Sequence, residues 1–137
     1  MERIKKRSDC PVSCSLDILG DKWSLLIIRD LLLKKECTYS DFLKSPEKIA
    51  TNILADRLQK LEDNGIIIRS EHPESKAKVL YRLTSKGCDL FPIIVEMVIW
   101  ADKHLHLPLD ENPILNGIST LGKDNYIESV MKKLKNQ

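Results

Sequence analysis

Four cysteines carry the most reactive chemistry in this 137-residue chain: Cys10, Cys14, Cys37 and Cys88. In a reducing cytosol they stand as thiols at rest. Cys10-x-x-x-Cys14 lacks the two-residue gap of a zinc knuckle, and His104 and His106, two apart, point to different faces of a helix. No metal site and no cofactor are expected. Cys10 differs from the others because Pro11 follows it. Proline is favoured at a first helical position, where its missing N–H would have no partner anyway. The Cys10 sulfur then lies at the positive end of a helix dipole, close in sequence to Lys6 and Arg7, and both effects favour the reactive thiolate. The alternative role is that of a small packed side chain. A bond from Cys10 to Cys14 inside one helix would distort it and constrain little, so a bond between subunits is the better alternative. Cys37 and Cys88 read as structural.

No other catalytic chemistry is assembled. The sequence offers no Ser-His-Asp or Cys-His set at a credible place, no phosphate-cradling glycine loop and no paired carboxylates in an apolar setting, so an enzyme is not expected. The net charge of +2 is too small to mark a nucleic-acid binder by itself; any such footprint must come from clusters, of which Arg3, Lys5, Lys6 and Arg7 form one and Lys76 with Lys78 another. No apolar run reaches the roughly 18 residues of a membrane helix, and Met1 leads into charges rather than a signal peptide. A cytoplasmic protein without a membrane partner is the expectation. The length fits one domain, or one domain with an extension, and suffices to bury roughly two-thirds of the unfolded surface.

The elements that must position these residues follow from periodicity. Residues 1–9 form a basic arm. A first helix is predicted over Pro11–Leu19, and a second, strongly apolar and central, over Lys22 to about Leu33. After a turn at Lys34-Lys35-Glu36, a short helix from about Ser40 to Lys44 and a turn at Ser45-Pro46-Glu47 lead to a helix over Ile49–Asn64. Its Leu54, Leu58 and Leu61 lie on one face, and Gly65 supplies the positive-φ stop. Ile66–Arg69, rich in β-branched residues, and Val79–Thr84, alternating in pattern, read as two strands joined by a polar turn at His72-Pro73. Thr84-Ser85 can cap a further helix over Gly87–His104, in which Pro92 marks a start or a kink. Leu107–Asn116 reads as a connector and Asp124–Leu134 as an amphipathic helix.

Two helices, a turn, a second amphipathic helix and a β-hairpin make a winged helix-turn-helix. The predicted fold is mainly α with a small β-hairpin (α+β), with additional N- and C-terminal dimerisation helices: arm 1–9, winged-helix domain 10–106, and connector with C-terminal helix 107–137. A helix entering the major groove exposes polar side chains at its N-terminal half. Opposite the leucine stripe stand Asn52, Asp56 and Gln59, with Ala55 at the edge. Asn52 suits adenine N6 and N7, and Asp56 suits cytosine N4. Arg57, beside the core stripe, can pack its stem and send its guanidinium to a phosphate. Thr38, Ser40, Lys48 and Thr51 lie at helix starts, where backbone N–H groups also favour phosphate. Lys76 and Lys78 on the wing suit the minor groove or the backbone. The apolar Leu90–Trp100 stretch, with Phe91, Ile94, Val95, Val98 and Trp100, exceeds what one small domain buries; with Val12, Leu16 and Leu19 of the first helix it predicts a homodimer interface. The alternative is a winged-helix module that docks proteins without specific DNA binding.

Particular residues sharpen this. Cys10-Pro11-Val12, Leu16-Asp17, Gly20-x-Lys22-Trp23 and the Leu25–Arg29 run stand in order with Arg57-Leu58-x-x-Leu61-Glu62-x-x-Gly65, His72-Pro73, Tyr81-x-Leu83-Thr84-x-x-Gly87 and Trp100. This series resembles the HxlR-type winged-helix regulators over about residues 10–102, a family similar to the MarR-type regulators. The resemblance implies a cytoplasmic homodimer on a pseudo-palindromic double-stranded DNA operator, acting as a repressor. Some relatives are thiol sensors with a cysteine at this place, which makes Cys10 the candidate for a small electrophile or oxidant signal. Two departures stand out: Ala50 replaces the Ser or Thr helix cap that the family tends to carry, with Thr51 next to it as a partial substitute, and Lys76 replaces a second wing proline.

Overall fold

Leu54, Leu58 and Leu61 are all buried, so the helix they stripe presents its opposite side outward, as the 3.6-residue period requires. That helix is one of eight among the described residues, 6–136, of a computed structural model. In chain order the elements are α1 (Pro11–Leu19), α2 (Ser24–Lys34), β1 (Glu36–Thr38), α3 (Tyr39–Leu43), α4 (Thr51–Asp63), β2 (Ile67–His72), β3 (Ser75–Leu83), α5 (Ser85–Cys88), α6 (Phe91–His104), α7 (Pro113–Leu121) and α8 (Lys123–Lys135). Arg3 and Lys5 of the basic arm lie outside the described residues. No helix is long and apolar enough to cross a membrane among them.

The chain divides into two compact units, residues 1–87 and 88–137. In the first, Ile27, Ile28 and Leu31 of α2 form a core with Phe42, the α4 leucines and Leu80. The sheet has three strands in the order β1-β3-β2, all antiparallel, with Cys37 opposite Tyr81 and Ile67 opposite Leu83. β1 is a strand the periodicity did not predict, since three residues cannot show an alternation. β2 and β3 run longer than expected and form the wing, with an irregularity between Glu71 and His72. Leu80 is buried and Val79 exposed, so the inward residue is fixed by contact with the helices rather than by strict alternation.

Gly65 has φ 72° and closes α4, where a side chain would be strained. Thr84 Oγ1 accepts from the amide of Gly87 at 3.1 Å and so caps α5. The single helix expected over Gly87–His104 is two: α5 stops at Cys88, and α6 begins at Phe91 with Pro92 in its first turn, where proline is tolerated.

The second unit packs α7 and α8 with α6. Phe91 and Tyr126 rings lie 5.8 Å apart, and Lys123 pairs with Glu96 at 2.8 Å. The expected connector, Leu107–Asn116, is shorter than predicted. Asn112 caps α7 by accepting from the amides of Ile114 and Leu115, and Pro113 occupies the first helical position. Gly117, just past the expected connector, sits inside α7: a Cβ there would come 2.1 Å from the Tyr126 ring, so its absence lets α8 approach.

Candidate nucleic-acid interface and thiol site

The outer face of α4 carries Thr51, Asn52, Ala55, Asp56 and Gln59, all exposed. Gln59 is tied along the helix to Asp63 at 2.8 Å, whereas no side-chain bond is found for Asn52 among the described residues. Arg57 is held differently from the expected phosphate-reaching arm. Its Nε lies 3.2 Å from Asp21 Oδ1, an ion pair at an angle too poor for a hydrogen bond, and another of its nitrogens donates to Asp56. Two carboxylates thus hold the guanidinium, and periodicity alone could not reveal a partner thirty-six positions away.

Asp21 also anchors the start of α2. It accepts from the amides of Trp23 and Ser24, each at 2.8 Å, and from Ser24 Oγ at 2.6 Å. Burial pushes its carboxyl up, but these bonds together with the Arg57 charge outweigh burial and hold it below the usual carboxylate range.

At the start of α3, Thr38 and Asp41 form a capping box: the Thr38 hydroxyl accepts from the Asp41 amide and Asp41 accepts from the Thr38 amide at 2.8 Å. That backbone bond, against weaker burial, lowers the Asp41 carboxyl. The half-buried Thr38 therefore has its amide in use, while Ser40 is exposed. The Tyr39 hydroxyl donates to the Thr51 carbonyl and ties α3 to the first turn of α4. Lys48 is exposed with φ 55°, and Ala50 stands at the N-cap of α4 with no side-chain bond, Thr51 supplying none in its place. Lys76 and Lys78 stand exposed on β3 of the wing.

Sequence reasoning missed a brace beneath this surface. Arg29 of α2 donates twice to Glu47, both at 2.8 Å, and also to Asp30, which accepts from Ser45. It fixes the turn before α4, and only the 3D fold brings its members together. The Arg29 bonds, against burial, hold Glu47 below its ordinary value.

Cys10 is the exposed N-cap of α1, as its place before Pro11 predicted. The two cations near it are engaged: Lys6 with Asp9 at 3.0 Å and Arg7 with Asp17 at 2.7 Å. Cys14 is half-buried and donates to the Ser8 carbonyl. Cys37 and Cys88 are buried; burial pushes the Cys37 thiol up to about 12 and raises Cys88 as well, so neither is a ready nucleophile.

Of the residues expected at a dimer interface, Val12, Leu16 and Trp100 are exposed and Val98 is half-buried. Leu19, Phe91, Ile94 and Val95 are instead buried within the chain, Phe91 against Tyr126. α6 is apolar around most of its surface, Glu96 excepted, so its sequence could not say which apolar face is covered by the rest of the chain. The side left open carries Ile93 (43% exposed), Met97 (50%) and Trp100 (59%), with Leu105 beyond them.

Helix α4 after α3, followed by a β-hairpin, defines a winged helix-turn-helix protein. The model of the HxlR-like helix-turn-helix family matches residues 18–108, and the chain belongs to that family as a transcriptional regulator of the HxlR type. It is 36% identical to the HTH-type transcriptional regulator YodB of Bacillus subtilis over 95 residues, 69% of this chain and 84% of YodB. The structure of reduced YodB superposes with a TM-score of 0.59 at 33% identity, covering 72% of this chain and 97% of that one; diamide-treated and quinone-bound YodB also match. The redox regulator HypR in its oxidized form gives a TM-score of 0.63 at 28% identity over 72% of this chain and all of HypR. The structure of PA1607 gives 0.67 at 39% identity, covering 78% of this chain and 72% of that one.

Proposed function

We propose that this regulator binds a pseudo-palindromic DNA operator as a homodimer, acts as a repressor, and is released when Cys10 reacts with an oxidant or electrophile. The observation that carries the DNA reading is the exposed polar face of α4, backed by three buried leucines and flanked by Lys76 and Lys78 on the wing. Asn52 is the base reader of choice, and Asp56 the second. With Arg57 engaged by Asp21 and Asp56, phosphate attraction falls to Lys48, Ser40, Thr51 and the wing lysines.

Two apolar stripes support the dimer: Val12 and Leu16 on α1, and Ile93, Met97 and Trp100 on α6. Covering them with a second copy would remove a hydrophobic surface that a soluble monomer rarely keeps. Two reading helices must then sit about one DNA turn, ~34–36 Å, apart. Reaction at Cys10 alters α1, hence the dimer and that spacing.

The exposed Cys10, against two buried thiols, supports it as the reactive group, and so does the likeness to YodB, seen in diamide-treated and quinone-bound forms. The test is operator affinity with and without diamide in the parent and in Cys10→Ser. Release in the parent alone supports the reading; equal release in both removes Cys10 from it.

A further inference from the structure

Two thiols stand one helical turn apart at the start of α1. The Cys14 amide donates to the Cys10 carbonyl at 2.9 Å, so the two residues are stacked along the helix. Within a helix, side chains four apart keep their Cβ atoms about 5–6 Å apart; Cys10, the N-cap with ψ 125°, stands at the edge of that regular spacing. Helical side chains also lean towards the N-terminus, and Cys14 does so: its Sγ donates to the Ser8 carbonyl at 3.3 Å. The Cys10 amide donates to Ser8 Oγ at 3.2 Å. Ser8 thus holds the Cys10 backbone and the Cys14 sulfur, and the Arg7–Asp17 ion pair at 2.7 Å ties that segment back onto α1. Cys10 is exposed and Cys14 half-buried, unlike the two buried thiols Cys37 and Cys88.

A direct disulfide fits this spacing poorly, because it needs Cβ atoms about 3.5–4.5 Å apart. One atom inserted between the sulfurs lengthens the bridge by a bond of about 2.3 Å, with zinc–thiolate as the yardstick, and spans the turn without unwinding it. Among the described residues no group of three His, Cys, Asp or Glu could hold a metal ion. A cation that requires three or four protein ligands therefore has too few. The matching ligand is satisfied by two sulfurs and brings the rest of its coordination with it.

We propose that Cys10 and Cys14 form a dithiol clamp for organic trivalent arsenicals, compounds with one carbon substituent and two exchangeable oxygens. Two As–O bonds break and two As–S bonds form. Each thiol proton leaves with a departing hydroxide, so two waters are released. Arsenic stays trivalent and no oxidant is consumed. The closed ring staples the first turn of α1. This deepens the reading of Cys10 as the reactive thiol, on which it rests, by naming a class of signal that uses its neighbour as well.

The test titrates phenylarsine oxide into the reduced protein. The expected result is one phenylarsenic per chain by intact mass, with two thiols lost to a thiol reagent, and removal by a dithiol but not by an equal concentration of monothiol. Cys10→Ser and Cys14→Ser should each bind at least about a hundredfold more weakly, since the second bond forms at high effective concentration. Parent-like affinity in Cys14→Ser, or one arsenical joining two chains, overturns the clamp. Operator binding with diamide in the same variants separates the two ideas. If the arsenical binds one per chain while diamide leaves operator affinity unchanged, the clamp stands and the sensing role of Cys10 falls. If diamide acts through Cys10 but Cys14→Ser binds the arsenical like the parent, the reverse holds.

Discussion

Arg29 grips Glu47 with two N–H···O bonds of 2.8 Å each, and so fixes the turn that launches α4. Charged, two-pronged bonds of this kind set orientation as well as energy. Arg29→Ala should lower stability by about 1–2 kcal/mol, since the pair is only partly dry. It should also weaken duplex binding beyond that loss, because the reading helix loses its anchor. Urea unfolding and a DNA titration on the same sample check both.

The same pair sets an acid limit. Glu47, Asp21 and Asp41 are each held below the ordinary carboxylate range in the folded chain. A depressed folded pKa contributes stability that is complete above the unfolded value of about 4 and is lost as pH falls through the folded value. Melting temperature should therefore drop below about pH 4, and Glu47→Gln should melt lower than the parent at neutral pH but converge with it in acid. Parallel curves at all pH values would count against the Glu47 contribution.

Asn52→Ala should relax preference at one base pair in each half-site, a loss of about 1–3 kcal/mol in discrimination. Lys78→Ala should weaken binding to every sequence and lower the log–log salt slope by about 0.9 for each phosphate that is no longer neutralised. Gel shifts at several salt concentrations, on operator and on unrelated duplex, tell the two apart. Absence of salt-dependent binding to duplex would favour a protein-docking module instead.

Trp100→Glu should turn the proposed dimer into a monomer, read by light scattering at micromolar concentration, with the helical circular dichroism unchanged. Trp100 is exposed in the single chain, so the substitution spares the core. A variant that stays dimeric would place the interface away from this face of α6.

Gly117→Ala should destabilise the second compact unit. The added methyl would meet the Tyr126 ring at 2.1 Å, and overpacking of this kind costs about 1–3 kcal/mol, offset in part by the better helix propensity of alanine. Thermal melts, with Tyr126→Leu as the relieving second change, measure it.

Much of this architecture was legible because its signals are periodic. Leu54, Leu58 and Leu61 gave the inner face of α4, and so its outer face; Cys10-Pro11 gave the start of α1 to the residue. What escaped had no period to show. β1 is three residues long, and α7 hides behind Pro113 and Gly117, two residues that act there as starter and spacer rather than breakers. The covered face of α6 was misjudged because apolar residues lie around most of its surface. Asp21 and Glu47, the distant partners of Arg57 and Arg29, lie far off in sequence, and electrostatic commitment of that kind becomes visible only in the folded chain.

Ala50 has one more consequence. With no side-chain acceptor at the N-cap, the first amides of α4 have no capping side chain among the described residues. A phosphate oxygen laid against them would be the missing cap. If α4 is the reading helix proposed above, duplex would finish it: its first turn should exchange amide hydrogens quickly in the free protein and slowly on any duplex, whatever the base sequence.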